Sequence, residues 1–383
     1  MIDMAKGMFL LDFQFYMPVK VVSGFQSVIK NKALFKAYGK SALIVTSGSS
    51  AEKSGALKDV CTAFEKEGID YSVFDRVGPN PLVSVCYDAG AVAREHKAAF
   101  IVGIGGGSPL DAAKAAAVFA ANPQMKPQDI FERNNISEPL PLILIGTTAG
   151  TGSEVTAVSV LTIDETGRKR SITDPRCYAR LSFADPRYTF SMPLDVTIST
   201  ALDALSHATE GWFSPVCTDV AALFAEKAVR LVWEGLSDLY YNRKLPDETM
   251  REKLYYGSLY AGMVLNCMGT AFPHPMGYVL TEEYHIPHGR ACTSFLPALV
   301  SRAALYCEDK YRTYFNWLDT DFEEFQRIIS KLSDTDHIHM TQEQVDIYGG
   351  RWDNLKNFAN TPGGFSKELA AELLQKLFLN QER

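Results

Sequence analysis

The sequence contains no uninterrupted apolar run near the roughly eighteen residues that a membrane-spanning helix needs, so a membrane is not its expected environment. Positive charge is also short: 38 Lys and Arg against 45 Asp and Glu leave a net charge of -7, which argues against nucleic acid as the main partner. Cysteine is sparse and scattered. Cys61, Cys86, Cys177, Cys217, Cys267, Cys292 and Cys307 are odd in number and never form CxxC, the pattern of a reduced, cytoplasmic protein whose thiols are mostly buried apolar groups. The N-terminal "MIDMAKGMFLLDFQF" is broken by Asp12 and lacks a small-residue cleavage site, so no signal peptide is expected. Internal repeats and low-complexity tracts are missing too.

What is present suits a soluble globular protein of two domains: 383 residues, 46% of them hydrophobic and 22% charged. In the N-terminal half "SALIVTS" (41–47), "AAFIVGIGGG" (98–107) and "PLILIGTT" (141–148) are apolar almost throughout, as strands buried on both faces of a parallel sheet are. Amphipathic helical patterns separate them, at 55–68 and 83–96. That series predicts an α/β dinucleotide-binding domain with a doubly wound, mostly parallel sheet over residues 1–186. Beyond it helix-period segments dominate, predicting an all-α domain over 187–383, with the boundary near the proline-interrupted "FADPRYTFSMP".

Two loops carry nucleotide chemistry. "GIGGGSPLDAAKAAA" (103–117) runs from a strand into an alanine-rich helix, and Gly105, Gly106, Gly107 and Ser108 let a phosphate approach the backbone at a helix N-terminus. "GTTAGTGSEVT" (146–156) closes another strand with Thr147, Thr148 and Thr151. Either alone also fits a glycine-rich turn; together they read as two walls of a nucleotide cleft. Neither is GxGxxG. In "IVTSGSSAEKSG", Ser47 and Gly48 stand where a carboxylate for the ribose 2′-hydroxyl is often found.

"AFPHPMGYVLTEEYHIPHGRA" (271–291) gathers His274, His285 and His288 out of seven histidines in the chain. In "TALDALSHATEGW", Asp203 and His207 are four apart on a helical pattern and share one face. Alone, that pair is as well explained by a carboxylate–histidine hydrogen bond. His274 and His288 complete one carboxylate and three imidazoles, a ligand set for Fe²⁺ or Zn²⁺, with His285 left outside.

With these residues in view, the chain resembles the iron-containing (group III) alcohol dehydrogenases over essentially its whole length. The matching pieces are "VGPNP" (77–81), "GGGSPLDAAK" (105–114), "TTAGTGSEVT" (147–156), "DALSHATE" (203–210) and "PHGRA" (287–291). The resemblance implies the architecture shared with dehydroquinate synthase: a dinucleotide-binding domain, a helical domain, and a metal in the cleft between. It implies Asp203, His207, His274 and His288 as metal ligands. It places Asn80, Gly106, Gly107, Ser108, Thr147, Thr148, Thr151 and Lys169 at the cofactor, although the "GRKRS" around Lys169 otherwise reads as a solvated basic turn.

One position departs from the family. A histidine usually follows the third ligand by four residues, and here Tyr278 stands there, as a proton donor or a pocket wall. An alternative register makes His274 that later histidine, but it leaves Thr270 as a poor ligand and needs an insertion before His288. The implied reaction is reversible hydride transfer between NAD(H) or NADP(H), tilted to NADP(H) by Ser47 and Gly48, and a small alcohol, aldehyde or ketone whose oxygen the metal holds. The rivals are a dehydroquinate synthase-like or glycerol dehydrogenase-like enzyme and a non-catalytic nucleotide-binding protein. The expected assembly is a homodimer or higher homo-oligomer.

Overall fold

Alternation along three apolar runs explains how the sheet is buried. In the computed structural model, Ala42 and Ile44, Phe100, Val102 and Ile104, and Ile143 and Ile145 pack into one core, while Leu43 and Val45, Ile101, and Leu142 and Leu144 pack into a second. A pleated strand sends neighbouring side chains to opposite faces, so a run apolar at every position demands cover on both. Residues 12–132, 134, 136–353 and 355–379 are described; the first eleven residues, most of the stretch read above for a leader, lie outside them.

The strands are β1 (Lys20–Ser23), β2 (Ser41–Thr46), β3 (Asp70–Phe74), β4 (Phe100–Gly105), β5 (Leu142–Gly146), β6 (Val158–Thr162), β7 (Lys169–Thr173) and β8 (Leu181–Ala184). Six form one parallel sheet in the order β1-β8-β5-β4-β2-β3, and β6 and β7 pair as a separate antiparallel hairpin. Helices α1 (Ser27–Lys30), α2 (Gly48–Lys53), α3 (Ala56–Glu67), α4 (Val83–Glu95) and α5 (Gly107–Ala121) belong to this unit. From β2 the chain steps outward to β3 and then returns to the other side as β4. The switch point therefore lies between β2 and β4, where an open α/β sheet forms its ligand crevice.

Small residues set the spacing of the layers. A Cβ on Gly103 of β4 would come 2.7 Å from Ala113 Cβ, and one on Gly90 of α4 would come 2.6 Å from Phe119 Cβ. The alanine-rich α5 is thus held between sheet and α4, buried from Ala112 to Ala120.

The second unit is helical: α6 (Leu194–Phe213), α7 (Asp219–Asn242), part of α8 (Glu248–Met268), α9 (Pro273–Glu283), α10 (His288–Thr293), α11 (Leu296–Tyr306), α12 (Glu308–Leu318), α13 (Phe322–Ser333), α14 (Gln342–Gly349), α15 (Lys356–Ala359) and α16 (Lys367–Phe378). Sequence patterning puts the division at 186/187; by contacts it falls at Pro193, and Asp247–Gly262 counts with the α/β unit. Two contacts explain the difference. Arg251 donates to the carbonyls of Thr189 and Met192, each at 2.8 Å, and a Cβ on Gly262 would meet Gly152 Cα at 2.7 Å. None of the seven cysteines forms a disulfide.

Candidate functional site

In the helical unit the site is built on α6, whose residues from Ala201 to Phe213 are all buried. Asp203 and His207 lie one turn apart on it. Gly289, just after His288, brings α10 directly onto this helix: a Cβ there would stand 1.8 Å from Ser199 O and 2.9 Å from Asp203 Cβ. On α9, Pro273 occupies the first turn, where its missing N–H costs nothing, and His274 follows it.

These constraints converge on one atom. Oδ1 of Asp203 lies 3.9 Å from Nε2 of His207, 3.8 Å from Nε2 of His274 and 3.9 Å from Nε2 of His288. The rings of His207 and His274 stack at 4.6 Å, and His288 meets His274 edge-on at 5.5 Å. Four such donors around one ion at bond lengths near 2.1 Å would stand about 3.4 Å apart in a tetrahedron, so each of the three separations from Asp203 Oδ1 is slightly long for a bound ion. Asp203 Oδ1 is buried and accepts no hydrogen bond, which would be costly for a carboxylate oxygen and is resolved by a cation. The donor set therefore fits a divalent ion.

His285 belongs to neither group of described residues whose donor atoms lie within 4.8 Å of one another, and Thr270 has a partner of its own. Thr270 Oγ1 accepts a hydrogen bond from Asn357 at 2.7 Å, and His285 is exposed, with φ of 56°. Tyr278 is on α9 one turn after His274, and its ring stacks on His288 at 5.5 Å. Glu210 is the residue that sequence reading passed over, although it lies in the quoted "DALSHATE". Fully buried, it faces Nδ1 of His274 across 2.6 Å and also accepts from Ser206 Oγ and Ala271 N. Its signal was its position, three after His207 and seven after Asp203 on one helical face.

In the α/β unit, the carboxyl ends of β2, β4 and β5 bring the glycine and threonine segments together. Gly105 has φ of 152°, outside the range of ordinary side chains, and Gly105 O accepts from Thr147 N at 2.9 Å. A Cβ on Gly106 would meet Thr148 Cγ2 at 2.9 Å, and one on Gly107 would meet Thr151 Cγ2 at 2.7 Å. Bare backbone and two threonines thus form one surface at the start of α5, suited to a phosphate. Asn80, at φ of 53°, donates its N–H to Ser108 Oγ at 3.2 Å. Ser47 lies between β2 and α2, its backbone paired with that of Arg76, and its hydroxyl lies 2.9 Å from that of Ser50. Lys169 is half-buried and opens β7 rather than lying in a solvated turn, because residues 169–173 pair with β6.

An ion pair between fully buried Lys114 and half-buried Asp111 ties α5 to the segment after the threonine loop. Lys114 on α5 donates to Ser153 O at 2.8 Å, Ser153 Oγ at 2.6 Å and Val158 O at 2.6 Å, and Asp111 accepts from Ser153 Oγ at 2.6 Å and Val160 N at 2.9 Å. Burial pulls the Lys114 ammonium down and pushes the Asp111 carboxyl up, while their mutual attraction opposes both shifts.

Residues 18–186 match the iron-containing alcohol dehydrogenase family, and residues 197–360 match its C-terminal domain. The chain belongs to the iron-containing alcohol dehydrogenase family. It is 31% identical to long-chain-alcohol dehydrogenase 1 of Geobacillus thermodenitrificans, over 91% of this chain and 85% of that one. It is 36% identical to 1,3-propanediol dehydrogenase of Citrobacter freundii, over 68% and 67%. The crystal structure of an iron-containing alcohol dehydrogenase from Thermotoga maritima superposes with a TM-score of 0.86 at 33% identity, covering 96% of this chain and 99% of that one. The protein is accordingly an NAD(P)-dependent alcohol dehydrogenase, and the family works with a nicotinamide dinucleotide and a divalent metal. Among the described residues no helix is long and apolar enough to cross a membrane.

Proposed function

We propose that Asp203, His207, His274 and His288 hold one divalent ion, Fe²⁺ by preference and Zn²⁺ as the alternative, in a reductase for a small aldehyde or ketone that runs reversibly with the alcohol. The observation that carries this reading is the near-equal separation of Asp203 Oδ1 from the three Nε2 atoms, 3.8 to 3.9 Å. When bound, the ion supplies Lewis acidity toward the substrate oxygen and the nicotinamide carries the hydride. Glu210 fixes the ring of His274 so that Nε2 faces Asp203. Tyr278, stacked on His288, supplies a hydroxyl that exchanges a proton with the substrate oxygen directly or through water.

On the cofactor side the proposed contacts are Ser47, Asn80, Gly105, Gly106, Gly107, Ser108, Thr147, Thr148, Thr151 and Lys169. NADP(H) is the proposed preference. Ser47 leaves no carboxylate just after β2, and Ser49, Ser50 and Lys53 follow on α2. The proposed organisation is a dinucleotide-binding domain over 1–186 and a metal-binding domain over 187–383, in a cytoplasmic homodimer or higher homo-oligomer.

The test is metal analysis of protein purified without oxygen, paired with NADPH oxidation by a panel of aldehydes. The expected result is one ion per chain, loss of activity on chelation and recovery with Fe²⁺. Unchanged metal content in His207→Ala and in His274→Ala would overturn the ligand assignment.

A further inference from the structure

Cys292 follows His288 by one turn of α10, and its Sγ lies 3.6 Å from Nδ1 and 3.7 Å from Nε2 of that ring. The side chain is fully buried. Gly277 of α9 forms its seat: a Cβ there would come 2.7 Å from Sγ and 2.8 Å from the Cys292 backbone N and Cα. The thiol is therefore packed between α9 and the His288 ring. Donor atoms of His274, His288 and Cys292 lie within 4.8 Å of one another, the same limit that encloses those of Asp203, His207 and His274. Two potential donor sets thus share His274, and one of them contains sulfur.

We propose that Cys292 is a soft donor that joins His274 and His288 when a thiophilic divalent ion such as Co²⁺ or Cd²⁺ enters, whereas Fe²⁺ rests on the carboxylate and imidazoles alone. This rests on the metal reading above. Sulfur favours softer ions, while carboxylate oxygen suits harder ones, so the identity of the ion selects the ligands. One metal–sulfur bond forms, the thiol proton leaves to solvent, and no electron changes hands.

The experiment loads metal-free, full-length protein with stoichiometric Co²⁺ and records its absorption spectrum. The expected result is visible d–d bands together with a near-ultraviolet sulfur-to-cobalt charge-transfer band. Cys292→Ser and Cys292→Ala should keep the d–d bands and lose the charge-transfer band. Failure to bind Co²⁺ at all overturns the metal reading and this inference with it. Bound Co²⁺ with d–d bands but no charge-transfer band, or a band that survives in the Cys292 variants, overturns the thiol alone. Cadmium NMR of the native protein reads the same ligation without a substitution: a thiolate-shifted resonance supports it, and a resonance typical of nitrogen and oxygen donors overturns it.

Discussion

Glu210 Oε1 stands 2.6 Å from Nδ1 of His274, so a carboxylate with no exposed surface fixes the ring that faces Asp203 from the other side. Such partners behind a metal-ligating histidine typically contribute about 10- to 100-fold in affinity. Glu210→Gln should therefore weaken Fe²⁺ or Co²⁺ binding by roughly that factor, read by chelator competition. An unchanged metal affinity would reduce Glu210 to a structural role.

Gly289 is the position where a methyl group should do most damage. Alanine there would thrust its Cβ to 1.8 Å from Ser199 O, whereas a Cβ at Gly78 would have nothing within 4 Å. Gly289→Ala is expected to cost about 3 kcal/mol or more and to lower metal content, with Gly78→Ala as a near-neutral control. Equal melting temperatures for the two variants would contradict the packing described for α6 and α10.

The Asp111–Lys114 pair predicts non-additivity. Removing one partner strands a buried charge, at a cost of about 3–5 kcal/mol, while removing both leaves none. Asp111→Asn and Lys114→Met should each be more destabilising than half of the double variant, and each should raise the dinucleotide Kd while leaving metal content intact. Simple additivity in denaturant unfolding would argue that the pair does not act as a unit.

Cofactor choice is tested at the end of β2. A carboxylate at position 47 would accept bonds from ribose hydroxyls and repel a 2′-phosphate. The native protein should show the higher kcat/KM with NADPH, and Ser47→Asp should shift the ratio toward NADH by about tenfold or more, roughly 1.4 kcal/mol. A native preference for NADH removes the argument.

Tyr278→Phe keeps the ring on His288 and removes only the hydroxyl. Loss of a proton-exchanging group is expected to lower kcat by about 100-fold or more, with metal content unchanged and the pH profile of kcat altered. A variant with native kcat and pH profile would make Tyr278 a packing residue.

The sheet was legible because it obeys a rule visible in one dimension: strands buried on both faces are apolar at successive positions, as in 42–45 and 142–145. The short strands β1 and β3 sit at the sheet edges, are less uniformly buried and left a weaker trace. Asp203 and His207 were readable as an i, i+4 pair, and His274 and His288 through their spacing and the family resemblance. What escaped depends on three-dimensional approach. Glu210 looks like any acidic residue on a helix until Ala271 N and His274 are seen against it, and the buried setting of Lys114 follows from how the segment from Ser153 to Val158 wraps α5.

The donors of the proposed metal site come from α6, α9 and α10, and Asp203 and His288 are 85 positions apart in the chain. No short segment carries the whole set: α6 supplies two donors, and α9 and α10 one each. Metallation then waits until distant helices have docked, a step slowed by the entropy of closing long loops. An ion bound by the complete set is then expected to slow unfolding more than it hastens folding.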